Sequence, residues 1–248
     1  MKAIIIAAGY ASRLGDLTKK QPKGLLKING KTILDRQIEL FRKKGIQEII
    51  IITGPFKDFG INGVSYINDE YYGEHDVLGS FMAARDKIDG KVITSYSDIV
   101  FEEKILEEIL RCDGDIGIPI DLNWRKSYQG RTQHPISEAD NVLLKNDKIT
   151  KIKKNIQNQN NEEVIGEFLG PMILSEKGSK LFVDTYVNLE KTHKGQFHDA
   201  PSLKKAYLTD LIQELIDKGI EPSPIIISGK WCEIDTVQDL ERAESLFS

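Results

Sequence analysis

The stretch Lys2-Ala3-Ile4-Ile5-Ile6-Ala7-Ala8-Gly9 decides the fold. Residues 3–7 are apolar without alternation, the pattern of a strand buried on both faces of a parallel sheet. A polar loop with Gly and Lys runs from Gly9 to about Asn29. Thr32 is then placed to cap a helix in which Ile33, Ile38, Leu40 and Phe41 recur at helical spacing. Gly45 ends that helix, and Ile49 to Ile52 is a second buried strand closed by Thr53-Gly54-Pro55. Strand, loop, helix and strand make one βαβ unit.

The pattern repeats downstream. Val64–Ile67, Val92–Tyr96 and Ile116–Ile120 read as strands, with helices over Leu78–Ile88 and Ile105–Leu110 between them. Such alternation predicts an α/β protein with three layers, α/β/α, around a mostly parallel mixed sheet. Between 121 and 168 the chain turns polar and irregular. Val142–Leu144 and Ile149–Ile152 form a hairpin about Asn146-Asp147, and Asn155–Asn161 forms a mobile tip. This stretch is expected to be an insertion packed on the main sheet. Val164–Leu174 returns as a strand, helices follow at 175–189 and 202–218, Ile225–Ser228 is a strand, and Val237–Leu246 is a closing helix. No linker interrupts the chain, so residues 1–248 are expected to form one domain.

Composition narrows the function. The 248 residues carry 34 basic and 38 acidic side chains, a net charge of −4, which argues against a general nucleic-acid binder. That total hides a basic cluster at Arg13, Lys19, Lys20 and Lys23. Two cysteines, Cys112 and Cys232, make neither a disulfide framework nor a C-x-x-C site. The four histidines, His75, His134, His193 and His198, lack metal-ligand spacing. The apolar opening is too short for a signal segment or a membrane span, so the expectation is a cytoplasmic protein, monomer or homodimer, that touches neither membrane nor nucleic acid.

Chemistry concentrates in Ala7-Ala8-Gly9-Tyr10-Ala11-Ser12-Arg13-Leu14 and Gln21-Pro22-Lys23-Gly24-Leu25. The loop leaves the carboxyl end of a strand, where open α/β sheets bind ligands. Small residues let backbone N–H groups approach a phosphate. Arg13 offers a planar fork of donors and Lys23 a point charge. Neither the Walker A nor the dinucleotide glycine pattern is present. Downstream, Asp98 follows one buried strand and Asp235 another. Each is placed either to cap the next helix or to help hold a divalent cation.

These residues resemble the signature of nucleotidyltransferases that activate sugars and small phosphorylated alcohols, A-A-G-x-G-x-R-L followed by P-K. Ala7, Ala8, Gly9, Arg13, Leu14, Pro22 and Lys23 match, and Ala11 replaces the second glycine. The resemblance implies a Rossmann-like, GT-A-like nucleotidyltransferase fold. It implies that Arg13 and Lys23 are catalytic and that Asp98 and Asp235 jointly hold Mg²⁺. Ala7, Ala8, Gly9, Ser12, the Thr53-Gly54 turn, Gly79 and Ser80 are then the nucleotide-binding set. Asp76-Val77-Leu78-Gly79-Ser80-Phe81-Met82 with Tyr96-Ser97-Asp98-Ile99 looks closer to the cytidylyltransferases that use phosphocholine or 2-aminoethylphosphonate. The expected reaction moves CMP from CTP to a small phosphate or phosphonate acceptor and releases pyrophosphate. Trp124, as a ring face for a cationic head group, with Arg125, Arg131 and Glu167, would bind the acceptor. Two alternatives stay open here: a sugar-1-phosphate nucleotidyltransferase, and a catalytically silent nucleotide-binding regulatory module.

Overall fold

The structure is a computed structural model that describes residues 1–9, 12–157 and 162–248. The opening apolar run is strand β1 (Lys2–Ala7). A small hairpin, β2 (Lys27–Ile28) and β3 (Lys31–Thr32), leads to α1 (Ile33–Lys43), where Thr32 Oγ1 caps the helix by accepting the Asp35 N–H at 3.0 Å. Gly45, at φ +81°, ends the turn after α1 in a conformation that disfavours other residues. β4 (Glu48–Thr53), β5 (Ser65–Asn68), α2 (Val77–Met82), β6 (Val92–Tyr96), β7 (Ile99–Phe101), α3 (Glu103–Leu110) and β8 (Ile116–Asp121) follow. Then come the hairpin β9 (Asp140–Lys145) and β10 (Lys148–Lys154), β11 (Glu163–Phe168) and β12 (Met172–Leu174). The chain closes with α4 (Glu176–Thr192), α5 (Leu208–Asp217), β13 (Ser223–Ile226), β14 (Trp231–Glu233) and α6 (Val237–Leu246).

One ten-stranded sheet runs β10-β9-β11-β8-β12-β6-β1-β4-β5, with β13 paired to β8. β1 is central and parallel to both β4 and β6, with Ile5 opposite Ile51 and Ser95. Alternation along β1 makes the three layers. Ile4 and Ile6 pack with Phe81 of α2, Phe182 of α4 and Leu211 of α5. Ala3, Ile5 and Ala7 pack on the opposite face with Phe41 of α1 and Ile105 of α3. Both faces of β1 are therefore covered, which is why its sequence shows no polar alternation.

The other half of the sheet is antiparallel along its path, from β6–β12 out to β9–β10, while β13 lies parallel to β8. The segment 121–168 extends the main sheet instead of packing on top of it, because β11 pairs with β8 and β9 and β10 continue the sheet beyond β11. Its hairpin turns at Asn146 and Asp147, both at positive φ, as a two-residue turn requires. The strand expected over Val164–Leu174 is two strands. Gly170, at φ +101°, and Pro171 break it, and a Cβ on Gly170 would meet Tyr96 Cδ2 at 2.5 Å. The tip expected over Asn155–Asn161 falls partly at 158–161, outside the described residues.

Candidate active site

A cavity of about 450 Å³ opens at the carboxyl end of β1. Ala7, Ala8 and Gly9 form its floor, and Arg13, Lys23, Ser80, Asp98 and Asp235 line it. Strand order explains this convergence: parallel neighbours β4, β1 and β6 all end on the same edge. Tyr10 and Ala11 lie outside the described residues, as does the side chain of Ser12, whose backbone opens the short helical turn Ser12–Leu17.

Asp98 and Asp235 meet although far apart in sequence. β14 pairs antiparallel with β7, Glu233 opposite Ile99, and the Ile234 N–H donates to Asp98 O at 2.9 Å. Neither aspartate caps a helix. Thr236 caps α6 in a reciprocal box with Asp239, whose Oδ2 also accepts the Asp235 N–H at 3.2 Å. The Asp235 carboxylate is thereby left to cations. Lys23 Nζ donates to Asp235 Oδ1 at 2.6 Å and to Asp98 Oδ2 at 2.9 Å. Arg13 Nη2 lies 2.8 Å from Asp235 Oδ2. Burial works against charge on both partners, yet the aspartates hold the Lys23 ammonium above its ordinary pKa. His134, Lys23 and Arg13 likewise hold Asp235 below the usual carboxylate range, against the effect of its burial.

Sequence reasoning missed His134 and Glu233. His134 Nδ1 lies 3.0 Å from Asp235 Oδ2, and Nε2 lies 3.7 Å from Glu233 Oε2. One ligand atom from each of His134, Glu233 and Asp235 lies within 4.8 Å of the others. Burial and then the charges of Asp235 and Asp98 push Glu233 well above the usual range. Glu233 had a signal, since it lies two residues before Asp235. His134 had none, because its partners are some hundred residues away. The residues fit a divalent cation: Asp98 Oδ1 is buried without a hydrogen-bond partner, beside a second carboxylate.

The remaining candidates are placed differently from expectation. Thr53 is fully buried, its hydroxyl donating to Lys57 O and Ile67 O, and Gly54 packs against the Ala8 carbonyl, where a Cβ would stand at 2.4 Å. Both lie behind the cavity floor and shape it. The flat ring that Gly79 admits is the imidazole of His75, 2.4 Å from where a Cβ would be. Gly79 thus lines a second cavity, with Tyr71, Glu74 and Tyr186, behind the first.

None of the four acceptor candidates lines the main cavity. Trp124 is 3% exposed, and its Nε1–H donates to Ile165 O at 3.0 Å. Its ring packs edge-on with Tyr128 and carries the Arg125 guanidinium 4.4 Å from its centroid, so no face is left for a ligand. Arg131 Nε donates to Asp239 Oδ1 at 2.7 Å, tying this segment to α6. Glu167 is 4% exposed, accepts the Tyr128 O–H, and is pushed up to about 8 by burial. Arg125 stacks on Trp124, and the other three groups are held by Ile165, Asp239 and Tyr128. The outer wall is built instead by Tyr72, Asp76, Glu138, Asp140, Lys154 and Tyr207. Lys154 Nζ donates to Glu138 Oε2 at 2.7 Å and lies over the Tyr207 ring. Burial raises Asp140 to about 6.

The chain is similar to several known proteins. The MobA-like NTP transferase domain matches residues 3–167. The CTP:phosphoglutamine cytidylyltransferase of Campylobacter jejuni is 29% identical over 253 residues, 97% of this chain and 98% of that protein. The choline-phosphate cytidylyltransferase of Streptococcus pneumoniae is 30% identical over 116 residues, 45% of this chain and 51% of the relative. In fold, the chain matches a CTP:phosphocholine cytidylyltransferase from Streptococcus pneumoniae with TM-score 0.73 at 19% identity, over 100% of this chain and 99% of the other. It also matches an inositol-1-phosphate CTP transferase from T. maritima with TM-score 0.75 at 18% identity, over 99% and 94%. Among the described residues, no helix is long and apolar enough to cross a membrane.

Proposed function

Because the chain belongs to the MobA-like NTP transferase family, and is a nucleotidyltransferase, we propose that it moves CMP from CTP to a small phosphorylated or phosphonate acceptor with a cationic head group. The observation that carries this reading is the meeting of Arg13, Lys23, Asp98 and Asp235 in one cavity at the end of β1. The choice of CTP is supported by the relatives named as cytidylyltransferases. An oxygen of the acceptor's phosphate or phosphonate attacks the α-phosphorus. That P–O bond forms as the bond from the α-phosphorus to the bridging oxygen breaks, and pyrophosphate leaves with the electron pair. The acceptor is anionic at neutral pH, so no covalent enzyme intermediate is needed.

The protein aligns two anions and offsets their repulsion. Arg13 presents its fork to the triphosphate, and Lys23 places its charge where the α-phosphate and the acceptor oxygen meet. Ala7, Ala8, Gly9 and Ser12 bring backbone close to the nucleotide, and Ser80 reads the base. Asp98 and Asp235 would hold Mg²⁺, which when bound polarises the α-phosphate. The outer wall, with Asp76, Glu138 and Asp140 against the cation Lys154, favours an amine or quaternary ammonium on the acceptor. Phosphocholine, 2-aminoethylphosphonate and phosphoglutamine have such heads, whereas hexose 1-phosphates do not.

The test is pyrophosphate release from each nucleoside triphosphate with Mg²⁺ and a panel of these acceptors, products identified by mass. Release of pyrophosphate from CTP with an amine-bearing acceptor is expected. Turnover confined to hexose 1-phosphates would replace this reading with a sugar-1-phosphate nucleotidyltransferase. No turnover, with nucleotide still bound, would leave a regulatory module.

A further inference from the structure

The hydroxyl of Ser80 and the imidazole of His75 both end on one buried carboxylate. Asp69 is 1% exposed. Its Oδ2 accepts the Ser80 O–H at 2.8 Å and lies 2.7 Å from His75 Nε2. Its Oδ1 accepts the Tyr71 N–H at 3.1 Å, and its own N–H donates to Thr53 O at 2.7 Å, at the end of β4. Three groups thus fix the carboxylate, and the backbone bond to Thr53 holds the residue in place. A carboxylate oxygen only accepts, so the single proton of Ser80 is committed to Asp69, and His75 Nε2 carries the imidazole proton. Ser80 lines the main cavity. Toward that cavity its oxygen has lone pairs to offer and no proton.

Resting on the cytidylyl reading above, we propose that Asp69 is a specificity-determining positioning residue. By taking the Ser80 proton, it makes the Ser80 oxygen an obligate acceptor that selects the 4-amino group of cytosine over the 4-carbonyl of uracil. Cytosine has one donor on its pairing edge, the 4-amino group, while its N3 and O2 accept. An acceptor-only hydroxyl therefore bonds cytosine at that amino group alone. Uracil in the same pose sets its carbonyl oxygen against the Ser80 oxygen. Two acceptors are then left facing each other away from water, a mismatch that discriminates by about 10- to 100-fold. Asp69 lies behind Ser80 and acts through its hydroxyl rather than by touching the base.

The test is kcat/KM for CTP and for UTP, with one acceptor, in the full chain and in Asp69→Asn and Ser80→Ala. The side-chain amide of the Asp69→Asn variant can turn its NH₂ toward Ser80, which frees the Ser80 O–H to point into the cavity and donate to a carbonyl. The CTP:UTP ratio is expected to fall about 10- to 100-fold in Asp69→Asn, and to fall in Ser80→Ala through loss of the oxygen. A purely structural role would lower both nucleotides alike, so an unchanged ratio in either folded variant overturns the proposal. Thermal melting shows whether Asp69→Asn folds. If it does not, Ser80→Ala decides alone, since it keeps the Asp69–His75 contact. Failure of the unsubstituted chain to use CTP at all would instead overturn the cytidylyl reading.

Discussion

The two halves of the sheet supply opposite walls of one cavity, and they are built by different rules. In the parallel half, β6-β1-β4-β5, the cavity-lining residues lie at the end of a buried strand or in the loop after it, so one short stretch of sequence holds them: Ala7, Ala8, Gly9, Arg13 and Lys23. In the antiparallel half, polar residues come from hairpin strands and distant loops, such as Asp140, Lys154 and Tyr207. The side chains of Trp124, Arg125, Arg131 and Glu167 there are taken up by their surroundings: Ile165 O, the Trp124 ring, Asp239 of α6 and the Tyr128 hydroxyl respectively. A chemically suggestive cluster in sequence is thus a ligand site only where the strand order opens it to a cavity.

The largest expected effect separates packing from binding. Trp124→Ala should cost about 3–5 kcal/mol of stability, as for a large aromatic removed from a core, because the indole fills the small cluster with Tyr128 and Ala139. Chemical denaturation measures this loss. Turnover per folded molecule should stay as it was, and a selective rise in acceptor KM without lost stability would put the acceptor back on the indole.

Asp98→Asn and Lys23→Ala address the opposite wall. Each should lower kcat by on the order of 10²–10³ while circular dichroism stays that of the folded chain. Rates near those of the unsubstituted protein in either variant would break the assignment of the cavity.

Glu167 gives a pH signature for the antiparallel half. Its folded-state pKa is pushed up to about 8 from the ordinary 4.5, chiefly by burial, partly offset by the Tyr128 hydrogen bond and Arg131. A carboxyl raised in the fold contributes stability that is full below 4.5 and is lost as pH rises through 8. Glu167→Gln keeps an oxygen for the Tyr128 O–H and removes the titration. Its melting temperature should match that of the unsubstituted chain near pH 4 and exceed it at pH 8, by the equivalent of a few kcal/mol at most. Parallel pH curves for the two proteins would contradict the buried, proton-holding role.

How much was legible follows from the range of the contacts involved. The βαβ opening, the Thr32 cap and the hairpin turn at Asn146-Asp147 are local, and they stand where the sequence puts them. The approach of Asp98 to Asp235 needed β7–β14 pairing, which strand pattern alone does not specify. Lys154 opposite Asp140 was hidden by a register irregularity between Ile149 and Lys151, so counting outward from the turn misses the pair by one residue. His134 reaches Asp235 from an irregular loop with no periodic signal. Gly79 falls in the set the resemblance assigns to the nucleotide, but the sequence does not say which ring packs against it. The structure puts His75 there.

The smallest expected effects set the two outer segments side by side. Lys154 lines the cavity and Arg125 does not. Lys154→Ala removes a cation from the acidic outer wall and should shift acceptor KM by about tenfold, with the KM for CTP little changed, as expected for one charged hydrogen-bonding group. Its direction reports the acceptor's charge: KM should fall for a purely cationic head and rise for one that also bears a carboxylate. Arg125→Ala removes an exposed guanidinium stacked on Trp124 and should cost only about 0.5–1 kcal/mol of stability with acceptor KM unmoved. If acceptor KM instead answers to Arg125 and not to Lys154, the wall assignments are reversed, and the polar cluster read from sequence is the acceptor site after all.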